Sequence, residues 1–168
     1  MGDRNIEKVR NLCLCGHGNA GKTTLAEAIL FHCKATTRLG KVEDGTTLLD
    51  YTEEEGDRKS SLNTAVVQCN FKDAEINIVD TPGFPDFIVE AISGLQAADV
   101  AVIVVAANDG IGANTRKIFK ITEDLGKPTA IVFSKMDAEN IELGDLLEKI
   151  QESFGARCIP VVAPIGLG

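Results

Sequence analysis

A chain of 168 residues with a formal net charge of −8 and an isoelectric point near 4.8 is long enough for one domain that buries its own apolar core. The acidic balance argues against direct sequence-specific nucleic-acid binding, which needs a basic footprint. No apolar run approaches the roughly 20 residues of a membrane span, no signal peptide is visible, and Ile6 stands where a myristoylation signal needs Ser or Thr.

In chain order, apolar runs of strand length alternate with segments of helical period, the pattern of an α/β fold whose mostly parallel sheet is covered on both faces. The first strand is "NLCLC", with Cys13 and Cys15 on one face as small buried apolar residues. A helix is expected over 22–33. Lys34 to Asn63 follow as a polar, irregular stretch with seven carboxylates between Glu43 and Asp57, too long for an ordinary loop and therefore functional or disordered. "TAVVQCNF" and "AEINIVD", joined by a short polar turn, form a hairpin that makes one strand antiparallel. Helices over 86–97, 113–125 and 139–154 alternate with strands at "VAVIVVAA" and "TAIVFS"; Leu143, Leu146, Leu147, Ile150 and Phe154 form a core stripe in the last helix. The final twelve residues, "RCIPVVAPIGLG", carry one charge and no covering helix follows them, so they are expected to begin a longer chain. Five cysteines, at 13, 15, 33, 69 and 158, include no C-x-x-C pair, which points to reduced thiols in a cytoplasm rather than to disulfides or zinc.

Three motifs carry chemistry. "GHGNAGKT" spans Gly16, His17, Gly18, Asn19, Ala20, Gly21, Lys22 and Thr23 between a strand and a helix, and Thr24 continues into that helix. In such a loop successive N–H groups and the helix dipole converge on a polyphosphate, the lysine sets a charge between the terminal phosphates, and the Thr23 hydroxyl faces Mg²⁺. "INIVDTPG" delivers Asp80 to the carboxyl edge of the sheet, where it can hold magnesium through a water, and Gly83 can turn its N–H toward a terminal phosphate. "SKMD" ends a strand with Ser134, Lys135 and Asp137. The Asp137 carboxylate can accept the two donors that guanine offers and adenine lacks, while Lys135 lays its stem along the base.

With these motifs in this order the chain resembles the GTP-binding domain of translational GTPases, and within them elongation factor G and its paralogues. "GNAGKTTLAEAILF", "GKVEDGTTLLDY", "DTPGFPDFIVEA" and "SKMD" stand where that family has its phosphate loop, first switch, second switch and guanine motif. The resemblance implies a phosphate-loop G domain that binds GTP or GDP with Mg²⁺. Residues 1–168 then form one incomplete domain, with the phosphate loop at 16–23, switches at about 36–63 and 80–97, and the guanine motif at 134–137. Ser61 falls at the family's magnesium-binding threonine, so the implied metal set is Thr23, Ser61 and Asp80. Residues 157–168 would begin a missing C-terminal part, and contact with the ribosome would belong to the longer protein.

Five residues depart from the family's pattern in ways that concern its chemistry. Asn19 replaces an acid that helps bind a monovalent cation, and Ser134 replaces an asparagine. Gly18 and Ser60 stand where relatives carry apolar side chains beside the attacking water, and Phe84 stands at the histidine that positions it. The implied catalytic set is Lys22, Gly83 and the altered position Phe84. Losing a positioned group costs about 10²–10⁴ in rate, so either slow GTP hydrolysis or a GTP-binding switch with little hydrolysis follows. An ATP-using enzyme stays open while Ser134 weakens the base motif.

Overall fold

A computed structural model describes residues 5–139 and 141–163. After a short 3-10 turn at Ile6–Lys8, strand β1 (Val9–Gly16) leads through the glycine-rich loop into helix α1 (Lys22–His32). Helix α2 (Glu53–Arg58) precedes the hairpin of β2 (Ala65–Phe71) and β3 (Ala74–Asp80). Helix α3 (Ile88–Ala97), β4 (Val100–Ala106), α4 (Ala113–Asp124), β5 (Thr129–Ser134) and α5 (Leu143–Phe154) complete the chain.

The strands lie in the order β2-β3-β1-β4-β5, with β2 antiparallel to β3 and every other neighbour parallel. This is the expected sheet, including its one antiparallel strand. Because the other strands run the same way, pairing Leu14 with Asp80, Gly16 with Val104 and Ala106 with Ser134 brings the ends of four strands to one edge. Successive β1 side chains serve opposite faces, as the two-residue period requires. Cys13 and Cys15 pack with Leu95, Ile103 and Ile118 under α3 and α4, whereas Leu14 packs with Ala26, Leu30 and Ile78 under α1.

The helix expected over 86–97 divides into a 3-10 turn, Pro85–Phe87, and α3 proper, because Pro85 at the first turn sets the entry. The last begins at Leu143, later than residue 139; Leu146, Ile150 and Phe154 are buried as its stripe requires, and Phe154 stacks on Phe119 with ring centroids 4.2 Å apart. Residues 155–163 form no strand, and the rest of the final stretch, 164–168, lies outside the described residues.

The polar segment between α1 and β2 is ordered by three buried side chains. Leu49 enters the core beside Leu14 and Leu30. Glu27 of α1 accepts the Leu48 N–H. Glu55, wholly buried, closes a capping box with Thr52 and also accepts the Leu62 and Asn63 N–H groups, each at 2.9 Å.

Burial pushes the Glu55 carboxyl upward in pKa, but the hydrogen bonds from Asn63, Thr52 and Leu62 outweigh it, and the net shift is downward. A lowered folded pKa stabilises above the unfolded value and loses that contribution as pH falls through the folded one. Amide exchange across 52–63 should therefore accelerate below about pH 4. Glu55→Ala should produce the same loosening at neutral pH, at a cost of about 2–3 kcal/mol; unchanged protection in the variant would show that Glu55 is not the pin.

Candidate functional site

The carboxyl edge of the sheet carries the glycine-rich loop. Gly16 is extended into a positive φ of 144°, and a Cβ there would collide with the Val104 carbonyl, so the strand can turn into the loop only at glycine. Gly21, at φ 86°, is the N-cap of α1 and makes no side-chain cap bond, which leaves the helix entry as backbone donors facing the loop. Asn19 turns the loop at φ 59° and, like His17, is exposed, whereas Ala20 is buried. Lys22 lies beneath the loop, its Nζ donating to the His17 carbonyl at 2.9 Å and the Gly16 carbonyl at 3.4 Å. Burial pulls its pKa below the usual lysine value, opposed by the nearby Asp80 charge.

Beside Lys22 a row of oxygen groups joins three segments. Thr23 Oγ1 donates to Asp80 Oδ2 at 2.7 Å and lies 3.1 Å from Ser61 Oγ, which donates to Asp50 Oδ1 at 2.7 Å. The three residues of the expected metal set thus meet, together with Asp50, which sequence reasoning did not single out. Asp50 is one of seven carboxylates in its loop, and no spacing marks it; only the fold selects it. Asp80 is 1% exposed, and its second oxygen, Oδ1, is buried with no hydrogen-bond partner among the described residues. An orphaned buried carboxylate oxygen next to two hydroxyls and a second carboxylate fits a small, hard, oxygen-seeking cation such as Mg²⁺.

A cavity of about 220 Å³ opens over this row. Gly18, Asn19, Gly21, Lys22, Thr23 and Thr24 line one side. The segment between α1 and β2 contributes Asp50, Lys59, Ser60 and Ser61, and the turn after β3 contributes Gly83 and Phe84. Lys135, turned at φ 53°, borders it from the end of β5. Ser134 supports the wall from behind, its Oγ donating to the Ala20 carbonyl at 2.6 Å. Asp137 is exposed in the following turn and is not part of the cavity wall. A second residue missed by the motifs is Asn114, near the start of α4, whose Nδ2 donates to the Gly83 carbonyl at 3.0 Å. Its text, "GANTRK", carries no signal beyond helix initiation.

Burial raises the Asp80 pKa to about 6 against the pull of Thr23 and Lys22. A carboxylate raised in the fold favours folding when protonated, and that contribution is lost as pH rises from about 4 through the folded pKa. Ionised at neutral pH, Asp80 costs the fold on the order of 1–3 kcal/mol. Asp80→Asn should raise the melting temperature at pH 7 and flatten its dependence on pH below neutrality, while weakening magnesium-dependent nucleotide binding about tenfold or more. A variant that melts lower and keeps its magnesium response would contradict the assignment.

Residues 7–165 match the family model described as the elongation factor Tu GTP binding domain. An elongation factor G-like protein of Mycobacterium tuberculosis is 38% identical over 160 residues, 95% of this chain and 22% of that protein. The tetracycline resistance protein TetM from transposon Tn1545 of Enterococcus faecalis is 36% identical over 152 residues, 90% of this chain and 24% of that protein. Among solved structures, a Thermus thermophilus protein superposes with a TM-score of 0.84 at 36% identity, covering 88% of this chain and 22% of that one. A bacterial selenocysteine-specific elongation factor, EF-Sec, gives 0.70 at 26% identity, covering 86% and 23%. The chain spans less than a quarter of each of these relatives. Sequence, fold and loop geometry agree: the chain belongs to the family of the elongation factor Tu GTP-binding domain.

Proposed function

We propose that this chain is the nucleotide switch of an elongation factor G-like translational GTPase, which binds Mg-GTP and hydrolyses it to GDP and phosphate while a longer protein engages the ribosome. One observation carries the reading: the Thr23, Asp80, Ser61 and Asp50 oxygens form a continuous row beside Lys22 at the mouth of the glycine-rich loop. Donors for a polyphosphate and acceptors for its counter-ion share one cavity, as charge-neutralised phosphoryl transfer requires.

In this reading the loop from Gly16 to Thr24 holds the phosphates through its N–H groups and Lys22. Thr23, Ser61 and Asp80 hold Mg²⁺, which when bound neutralises charge on the phosphates. Gly83 faces the terminal phosphate. Lys135 and Asp137 take the guanine, with Ser134 fastening their strand to the loop. The names of the relatives point to protein synthesis, hence to the ribosome as partner and the cytoplasm as location. None of the described helices is long and apolar enough to cross a membrane, and the five cysteines are free thiols, which fits a reducing compartment.

A second reading, a GTP-dependent switch with little hydrolysis, is favoured by one contact. The Phe84 ring lies against Gly18 at the cavity wall, where a water would need a hydrogen-bonding neighbour and meets hydrocarbon instead.

Competition among GTP, GDP and ATP tests the nucleotide assignment. GTP and GDP should exclude ATP, and Asp137→Ala should weaken guanine nucleotides by about tenfold or more through lost charge-assisted hydrogen bonds; a preference for ATP would remove Asp137 from its role. Single-turnover hydrolysis with ribosomes separates the two readings. Phe84→His should speed it by about 10²–10⁴ if the rest of the machinery is intact, and an unchanged rate would favour the non-hydrolysing switch.

A further inference from the structure

The second switch is held at two points outside the nucleotide motifs' own bonds, one on α4 and one on the phosphate loop. Gly83 packs so closely that a Cβ on it would fall onto Lys22 Nζ and within 2.6 Å of the Gly18 nitrogen. Its carbonyl accepts from Asn114 Nδ2 at 3.0 Å, and Asn114 is only 9% exposed. That amide reaches across 31 residues of sequence to a loop, so it is not a cap for its own helix. The next residue, Phe84, rests its ring on Gly18, where an added Cβ would stand 3.2 Å from two ring carbons.

Lys22 Nζ and the Gly18 N–H are donors that the proposed reading directs toward the terminal phosphates. Gly83 abuts both. A triphosphate that draws on them must share or take the space Gly83 fills, whereas a diphosphate is one phosphate shorter and leaves Gly83 in place. We infer that Asn114 is a positioning residue that sets the preference between nucleoside tri- and diphosphate, by holding the Gly83 carbonyl so that this backbone lies against the loop, with the Phe84 ring on Gly18 as the second fastening. The inference rests on the nucleotide-binding reading and adds to it a residue that no motif contains. Its physical content is a coupling: a hydrogen bond made only in the conformation that crowds the donors biases the chain against the ligand that needs them.

The test is equilibrium titration of the chain with GDP and with a non-hydrolysable GTP analogue in magnesium buffer, for the natural sequence, Asn114→Ala and Phe84→Ala. Asn114→Ala should improve analogue affinity relative to GDP by about tenfold, the scale of one buried hydrogen bond or of a typical two-site coupling. Phe84→Ala should move the ratio the same way, and amide exchange at residues 83–87 should accelerate without nucleotide in both variants. Equal weakening of both ligands would reduce Asn114 to a structural role, and a shift toward GDP would reverse its sign; either overturns the inference. If Asn114→Ala fails to fold, Phe84→Ala decides, because Phe84 is 38% exposed and its loss creates no buried cavity. Should the natural chain bind neither ligand, the nucleotide reading falls and the inference with it; normal binding with an unmoved ratio defeats the inference alone.

Discussion

The hydrogen bond from Thr23 to Asp80 is the junction on which the site's geometry depends. It joins the first turn of α1 to the last residue of β3 at 2.7 Å, and the register that pairs Leu14 with Asp80 makes it possible. Around it a carboxylate and an ammonium are both taken almost wholly out of water. Their mutual attraction does not cancel that desolvation, since burial still drives Asp80 up and Lys22 down. A fold selected for stability alone would replace such a pair with hydrocarbon. Keeping it, with one Asp80 oxygen unpartnered among the described residues, fits a site that takes up a cation.

The acidic segment before β2 shows how a sequence that looks solvated can be structural. Its Glu55 is a buried acceptor for backbone and hydroxyl donors, and its Asp50 reaches the oxygen row through Ser61. Leu49 adds the apolar anchor. The segment is therefore connected to the core at one end and to the Thr23 hydroxyl at the other. Its outer surface carries the exposed Leu48 and Tyr51.

Most of the fold was legible because strands at "AEINIVD" or "VAVIVVAA" are marked by short apolar-rich runs of strand length, and the loop "GHGNAGKT" by its glycines. Helix α2 was not, because its six residues bring no apolar period; its one signal, Thr52 followed three residues later by Glu55, is a capping box that reads as surface text until both groups are buried. The start of α5 was read early because its stripe defines a face, not an end. In the site, the motif residues converge, apart from the exposed Asp137, but Asp50 and Asn114 had no local mark. Each is defined by a partner far along the chain, Ser61 for one and Gly83 for the other, and a single sequence does not contain such pairings.

Four of the five residues read as departures from the family pattern share a location. Gly18, Asn19, Ser60 and Phe84 all line the cavity, while Thr23 and Lys22 sit deeper, against the sheet edge. Phe84 and Gly18 are also in contact, so the two changes are physically one: a larger side chain at 18 would meet the ring, and a smaller one at 84 would leave the glycine uncovered. The pair has to be read together, because one residue supplies the space that the other fills, and the wall they form faces the end of the cavity where Gly83 and Lys22 meet.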